Sequence, residues 1–141
     1  MLPRPPTRKA RSMRRVLVVD DDLSISRTLA LTLLSLRFES VTAESAREGI
    51  ACAQQGSFDV VLVDMNMPGI SGLELVKAVS DRDPQLPIIA MSGGSGQQDL
   101  EGLALAAGAA AFLLKPFRRQ ALVDAIDLAI RHTRSTRKEA H

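Results

Sequence analysis

Val60-Val61-Leu62-Val63-Asp64-Met65-Asn66-Met67-Pro68-Gly69 is the stretch on which the fold turns. Four apolar residues, three of them β-branched, run straight into an aspartate, and a turn containing Pro and Gly follows. An uninterrupted apolar run reads as a strand buried on both faces, the usual state of a central strand in a parallel sheet. Asp64 then falls just past the strand's carboxyl end, where open α/β sheets place their ligands. It is a candidate phosphoryl acceptor. The plainer reading is an aspartate that starts a turn or caps the next helix.

The flanking sequence repeats the pattern. Val16 to Val19 form a first strand that ends in Asp20-Asp21-Asp22. Ser24 is a plausible N-cap for a helix to about Leu36, with Ile25, Leu29, Leu33 and Leu36 on one face. Glu39 to Thr42 read as a second strand, and Ser45 caps a helix that Gly56 ends near Gln55. Phe58 to Val63 make the third strand and Gly72 to Ser80 the next helix, burying Leu75, Val76 and Val79. After the turn at 83–87, Ile88 to Met91 form a fourth strand ending at Ser92. A glycine-rich loop, 92–96, leads to a helix from about Gln98 with Leu100, Leu103, Ala104 and Ala107 at helical spacing, stopped by Gly108. Ala111 to Leu114 form a fifth strand, broken by Lys115-Pro116-Phe117. A last helix from about Arg118 to His132 buries Leu122, Ile126, Ala129 and Ile130. Strand and helix thus alternate five times, and crossover helices of this length imply a parallel sheet covered on both faces. Strand order cannot be read from periodicity.

At 141 residues the chain is one domain by length, and 45% hydrophobic with 24% charged residues makes it globular rather than disordered. No apolar run approaches the ~20 residues of a membrane span, and the basic N-terminus lacks the apolar core of a secretory signal, so a cytoplasmic protein is expected. Cys52, the single cysteine, excludes an internal disulfide framework and reads as a small helix residue. The net charge of +2 conceals an uneven layout. Residues 1–15 carry six Arg or Lys and no acid, and 131–141 carry four against one acid, whereas 16–130 have a net charge of −7. An acidic body argues against direct nucleic-acid binding. The expected layout is a disordered basic arm over 1–14, a domain over 15–132 and a polar tail over 133–141, with Met13 as an alternative start.

A parallel sheet carries all its strand ends to one edge. Here that edge collects Asp20, Asp21 and Asp22 from the first strand, Asp64 from the third, Ser92 from the fourth and Lys115 from the fifth. Carboxylates held within ~5 Å repel by about 3 kcal/mol per pair at an effective dielectric near 20, so the cluster calls for a cation. All-oxygen ligands favour a hard ion, Mg²⁺ first, and the lack of His or Cys at this edge argues against zinc. A carboxylate beside Mg²⁺ can attack a phosphoryl group to give an acyl phosphate. The transferring group then needs a cation such as Lys115 and a hydroxyl donor such as Ser92.

Residues 16–130 closely resemble the receiver domain of two-component response regulators, of the same kind as the single-domain chemotaxis regulator. The resemblance rests on Val18-Val19-Asp20-Asp21, Val63-Asp64-Met65-Asn66-Met67-Pro68, Gly72, Met91-Ser92-Gly93 and Lys115-Pro116-Phe117. It implies a flavodoxin-like sheet of order 2-1-3-4-5, a topology for which the chemotaxis member is a standing example. It also implies that Asp64 takes a phosphoryl group from a sensor histidine kinase or phosphotransfer protein. Asp21 would then hold Mg²⁺ directly, Asp20 through water, and Asp64 and the backbone carbonyl of Asn66 would complete the protein ligands. Ser92 would swing in to the phosphoryl oxygen, Lys115 would pair with it, and a cis bond before Pro116 would aim the ammonium. Phe112 stands where the family often has Tyr, and would follow Ser92 inward. Asp22 is a third acid where the family often has none; capping the first helix is its preferred role, and a place in the metal's outer shell the alternative.

By the same resemblance, the output surface lies around Leu103, Phe112 and Arg118, in a monomer or a weak phosphorylation-dependent dimer. Only nine residues follow His132, so a single-domain regulator signalling by protein–protein contact is expected. It would be a phosphoacceptor that assists its own phosphorylation and dephosphorylation, not an enzyme acting on a separate substrate. Two other readings differ in chemistry. A haloacid-dehalogenase-type phosphatase would use Asp20-Asp21-Asp22 but needs later acids that do not follow any strand here, and it leaves 64–68 unexplained. A scaffold that is never phosphorylated would keep the fold without the chemistry, yet such domains usually lack one of the acids or the Lys.

Overall fold

The computed structural model describes residues 13–67, 71–93 and 97–139. The arm expected over 1–14 lies outside them except at Met13 and Arg14, as do the turn at 68–70 and the loop at 94–96.

Five strands and five helices alternate among these residues: β1 (Arg14–Val19), α1 (Leu23–Ser35), β2 (Phe38–Ala43), α2 (Ala46–Gln55), β3 (Val60–Asp64), α3 (Gly72–Arg82), β4 (Ile88–Ser92), α4 (Gln97–Ala107), β5 (Ala111–Leu114) and α5 (Arg119–Glu139). All strands are parallel, in the order β2-β1-β3-β4-β5. Every residue of β3 and of β4 is buried, as their unbroken apolar character requires.

Alternation along the strands divides the core in two. Val16, Val18, Val60, Leu62, Ile89 and Met91 pack under α1 and α5. Leu17, Val19, Val61, Val63, Ile88 and Ala90 pack under α2, α3 and α4. The helix faces are those read from spacing: Leu29 and Leu33 of α1, Leu75, Val76 and Val79 of α3, and Leu122, Ile126, Ala129 and Ile130 of α5 are all buried. On α4 only part of the stripe faces inward. Ala104 is buried, but Leu103 is 53% exposed.

Several boundaries differ from expectation. β1 begins at Arg14 rather than Val16, because Arg14 and Arg15 already pair with Phe38 and Glu39 of β2. α1 is capped by Asp22, the preferred role for that third acid, and not by Ser24: the Asp22 carboxylate accepts the N–H groups of Ser24 at 2.9 Å and Ile25 at 3.2 Å. A carboxylate there answers both the orphan donors and the positive end of the helix dipole. α5 runs to Glu139, through most of the segment expected to be a tail after His132. At the edge of the sheet away from the strand ends, Arg15 N–H donates to Asp59 Oδ2 at 2.8 Å and Asp59 N–H to the Arg15 carbonyl at 2.8 Å, tying β1 to the start of β3. The Arg15 guanidinium also lies 4.8 Å from the centre of the Phe58 ring. Among the described residues no helix is long and apolar enough to cross a membrane.

Candidate functional site

Parallel pairing brings four strand ends together, and each presents a polar side chain. Asp20 follows β1 and is wholly buried. Its backbone N–H donates to the Ala43 carbonyl at 3.0 Å, and its Oδ1 accepts from Asp22 N–H at 2.9 Å. Asp22 therefore serves both the helix and the orientation of Asp20, while Asp21 between them is exposed. Asp64 is the last residue of β3 rather than the first beyond it, and is 6% exposed. Its Oδ1 accepts from Asn66 N–H at 3.0 Å. Carboxylate oxygens of Asp20, Asp21 and Asp64 all lie within 4.8 Å of one another.

Lys115 enters from the end of β5, held by its own N–H on the Ser92 carbonyl at 2.8 Å. Its Nζ sits 2.8 Å from Asp20 Oδ2 and 3.6 Å from Asp64 Oδ1. The Lys115–Pro116 peptide bond is cis. Ser92 ends β4, fully buried. Its hydroxyl is held by the side chain of Asn66: Nδ2 donates to Oγ at 3.0 Å, and Oγ lies 3.4 Å from Oδ1.

Asp20, Asp21, Asp64 and Lys115 thus form one cluster, with Ser92 reaching it through Asn66. Phe112, in β5, is half-buried and packs against the core under α2, α3 and α4. Leu103 and Arg118 are exposed. Sequence reasoning valued Asn66 for its backbone carbonyl and missed its carboxamide. The available signal was a polar residue two places beyond a strand-end aspartate.

Burial pushes the Asp64 carboxyl above its ordinary range, and the charges of Asp20 and Asp21 add to this; the Asn66 N–H and the Lys115 ammonium act against them. The folded chain therefore holds a proton on Asp64 at a pH where the unfolded chain has lost it. The stability this group contributes is complete below the unfolded carboxyl value, about 4, and is lost as pH rises through the raised folded value. Asp64→Asn, which keeps an acceptor for Asn66 N–H, is expected to raise the melting temperature in metal-free buffer at pH 7. The gain should shrink towards zero near pH 3. Thermal melts of both proteins from pH 3 to 8 check this; a gain of equal size at every pH would rule out the carboxylate charge as its origin.

The profile of the family described as response regulator receiver domain matches residues 16–127. The cell cycle response regulator CtrA of Brucella ovis is 31% identical over 121 residues, which are 85% of this chain and 51% of that protein. The chain thus spans about half the length of the curated relatives it matches. A response regulator receiver domain protein from Clostridium thermocellum superposes with a TM-score of 0.81 at 32% identity, covering 88% of this chain and 99% of that one. NtrX from Brucella abortus, crystallised in complex with ADP, gives a TM-score of 0.82 at 27% identity over 91% of this chain but only 29% of its own.

Proposed function

Since the chain belongs to the response regulator receiver domain family, we propose that it accepts a phosphoryl group on Asp64 from a phosphohistidine of a sensor histidine kinase or phosphotransfer protein. The observation that carries this reading is the Lys115 ammonium set between Asp20 and Asp64 beside a three-carboxylate cluster. In the transfer, a carboxylate oxygen of Asp64 bonds to phosphorus as the P–N bond breaks, and the electron pair returns to the imidazole nitrogen. Asp64 Oδ1 accepts Asn66 N–H, and among the described residues Oδ2 takes no hydrogen bond, which favours Oδ2 as the attacking oxygen. Lys115 is placed to meet charge that develops on the phosphoryl oxygens.

The cluster fits a hard divalent cation, since three carboxylates at this spacing carry more charge than one ammonium neutralises and offer only oxygen. Asp20, Asp21, Asp64 and the Asn66 carbonyl would hold Mg²⁺, which when bound would neutralise charge on the phosphoryl group. A groove of about 600 Å³ between α1 and α5 opens beside Lys115 and is lined by Ile25, Leu29, Phe117 and Leu122. It offers the donor protein an apolar seat next to Lys115. Output would pass through protein contact on the face of α4, β5 and α5, where Leu103, Leu114 and Arg118 are exposed and Phe112 lies half-buried between. Movement of Ser92 towards the phosphoryl group, with Phe112 following, would bias that face.

The test is intact mass after incubation with Mg²⁺ and acetyl phosphate. One labile phosphoryl adduct is expected on the wild type, absent in Asp64→Asn and in the presence of chelator. No adduct, where another receiver domain is labelled alongside, would leave the unphosphorylated scaffold as the reading.

A further inference from the structure

Ser92 is fully buried, yet its hydroxyl is held by an exposed residue. The Asn66 carboxamide reaches in from the mouth of the site, donating from Nδ2 to Ser92 Oγ at 3.0 Å with Oδ1 at 3.4 Å from the same oxygen. The same residue donates its backbone N–H to Asp64 Oδ1 at 3.0 Å. One residue therefore joins the proposed phosphoryl acceptor to the proposed switch hydroxyl, with backbone and side chain serving opposite partners. The backbone around Ser92 has little room to follow. Its carbonyl accepts Lys115 N–H at 2.8 Å, and a Cβ on Gly93 would sit 3.2 Å from Lys115 Cβ. Motion of Ser92 is then a motion of its side chain, and the Asn66 bond is what opposes it.

We infer that the Asn66 side chain is a latch that holds Ser92 in its resting position, so that Asn66 sets how readily the site adopts its phosphoryl-bound state. This rests on the phosphoacceptor reading of Asp64. Asn66 Oδ1, which accepts the Ser92 O–H at 3.4 Å, and a phosphoryl oxygen compete as acceptors for that one proton. A rotamer turned to the phosphoryl group also gives up the donation from Asn66 Nδ2. The free energy of the latch is subtracted from that of the new bond. Asn66 is a positioning residue on this account, acting through Ser92. Truncating its side chain leaves the backbone carbonyl and N–H in place.

Two measurements test it with Asn66→Ala. In metal-free protein, three-bond couplings at Ser92 Cβ should report one χ1 rotamer in the wild type and averaging between rotamers in the variant. With Mg²⁺ and beryllofluoride as the phosphoryl mimic, the variant should bind about three- to tenfold tighter, the scale of one hydrogen bond. In a Ser92→Ala background the same substitution should change affinity by less than about twofold, as expected for a residue acting through Ser92. An already averaged Ser92 in the wild type, or equal tightening with and without the hydroxyl, would overturn the latch. Failure of the wild type to bind beryllofluoride would instead count against the phosphoacceptor reading, and the couplings would still decide whether Asn66 holds Ser92.

Discussion

Lys115→Met is expected to lower the stability of the metal-free protein by about 2–4 kcal/mol and to slow phosphoryl uptake on the order of 10²-fold. The Lys115 side chain is 16% exposed, and its ammonium lies 2.8 Å from Asp20 Oδ2 and 3.6 Å from Asp64 Oδ1. Removing one partner of a buried pair typically costs ~3–5 kcal/mol, because the other charge stays behind without compensation. Two features pull the value towards the lower end. Asp20 keeps the hydrogen bond from Asp22 N–H, and exposed Asp21 marks a side of the cluster that water reaches. The variant should therefore melt roughly 10 °C lower in chelator, at a few degrees per kcal/mol for a chain of this size. Millimolar Mg²⁺ should restore more of its stability than it adds to the wild type, since three carboxylates would then lack any fixed cation. Asp20→Asn introduced with Lys115→Met should recover part of the loss. A melting temperature within about 2 °C of the wild type in chelator would show that this ion pair does not hold the site together.

The positions of Asp20, Asp64, Ser92 and Lys115 were legible because each follows an apolar run too continuous to be anything but a buried strand. Once those runs are parallel strands, their ends must share an edge. The order of the strands was not legible in this way, since burial on both faces makes all the central runs alike; it entered through resemblance to receiver domains and is the order observed.

Helix ends were read less well, each for a local reason. Asp22 and Ser24 are both good caps two residues apart, and only the position of the Asp22 carboxylate under two N–H groups decides between them. α1 ends without a glycine; Arg37 itself takes the left-handed conformation, φ 67°, that a glycine would have announced. On α5 the apolar spacing stops at Ile130, but nothing in the polar sequence beyond forbids a helix, and it continues to Glu139. The carboxamide of Asn66 was hidden because an asparagine after a strand reads as a turn former, and spacing does not say where a turn side chain points.

Gly72→Val should cost about 3 kcal/mol or more and reduce phosphoryl uptake further than its stability loss alone would. Gly72 is the first residue of α3, capped by Ser71, and it packs directly on the end of β3. A Cβ there would lie 2.6 Å from the carbonyl oxygen of Asp64 and 2.8 Å from Met65 Cα. These are backbone atoms, so no side chain can turn aside. Either α3 lifts from the sheet, exposing part of the core formed by Leu75 and Val76, or the Asp64–Met65 peptide moves. The second route displaces the Asp64 carboxylate and its hydrogen bond from Asn66 N–H. A misplacement of ~1 Å at a reacting group can cost ~10²-fold in rate. Gly102→Ala is the matched comparison. Gly102 lies within α4, and a Cβ there meets nothing within 4 Å. Alanine should stabilise the helix by up to ~1 kcal/mol and leave phosphoryl uptake unchanged. Urea melts and the rate of adduct formation from acetyl phosphate, measured on both variants, separate the two effects. Wild-type stability and uptake in Gly72→Val would mean that α3 can move off the strand end without disturbing Asp64, and that the contact does not position the site.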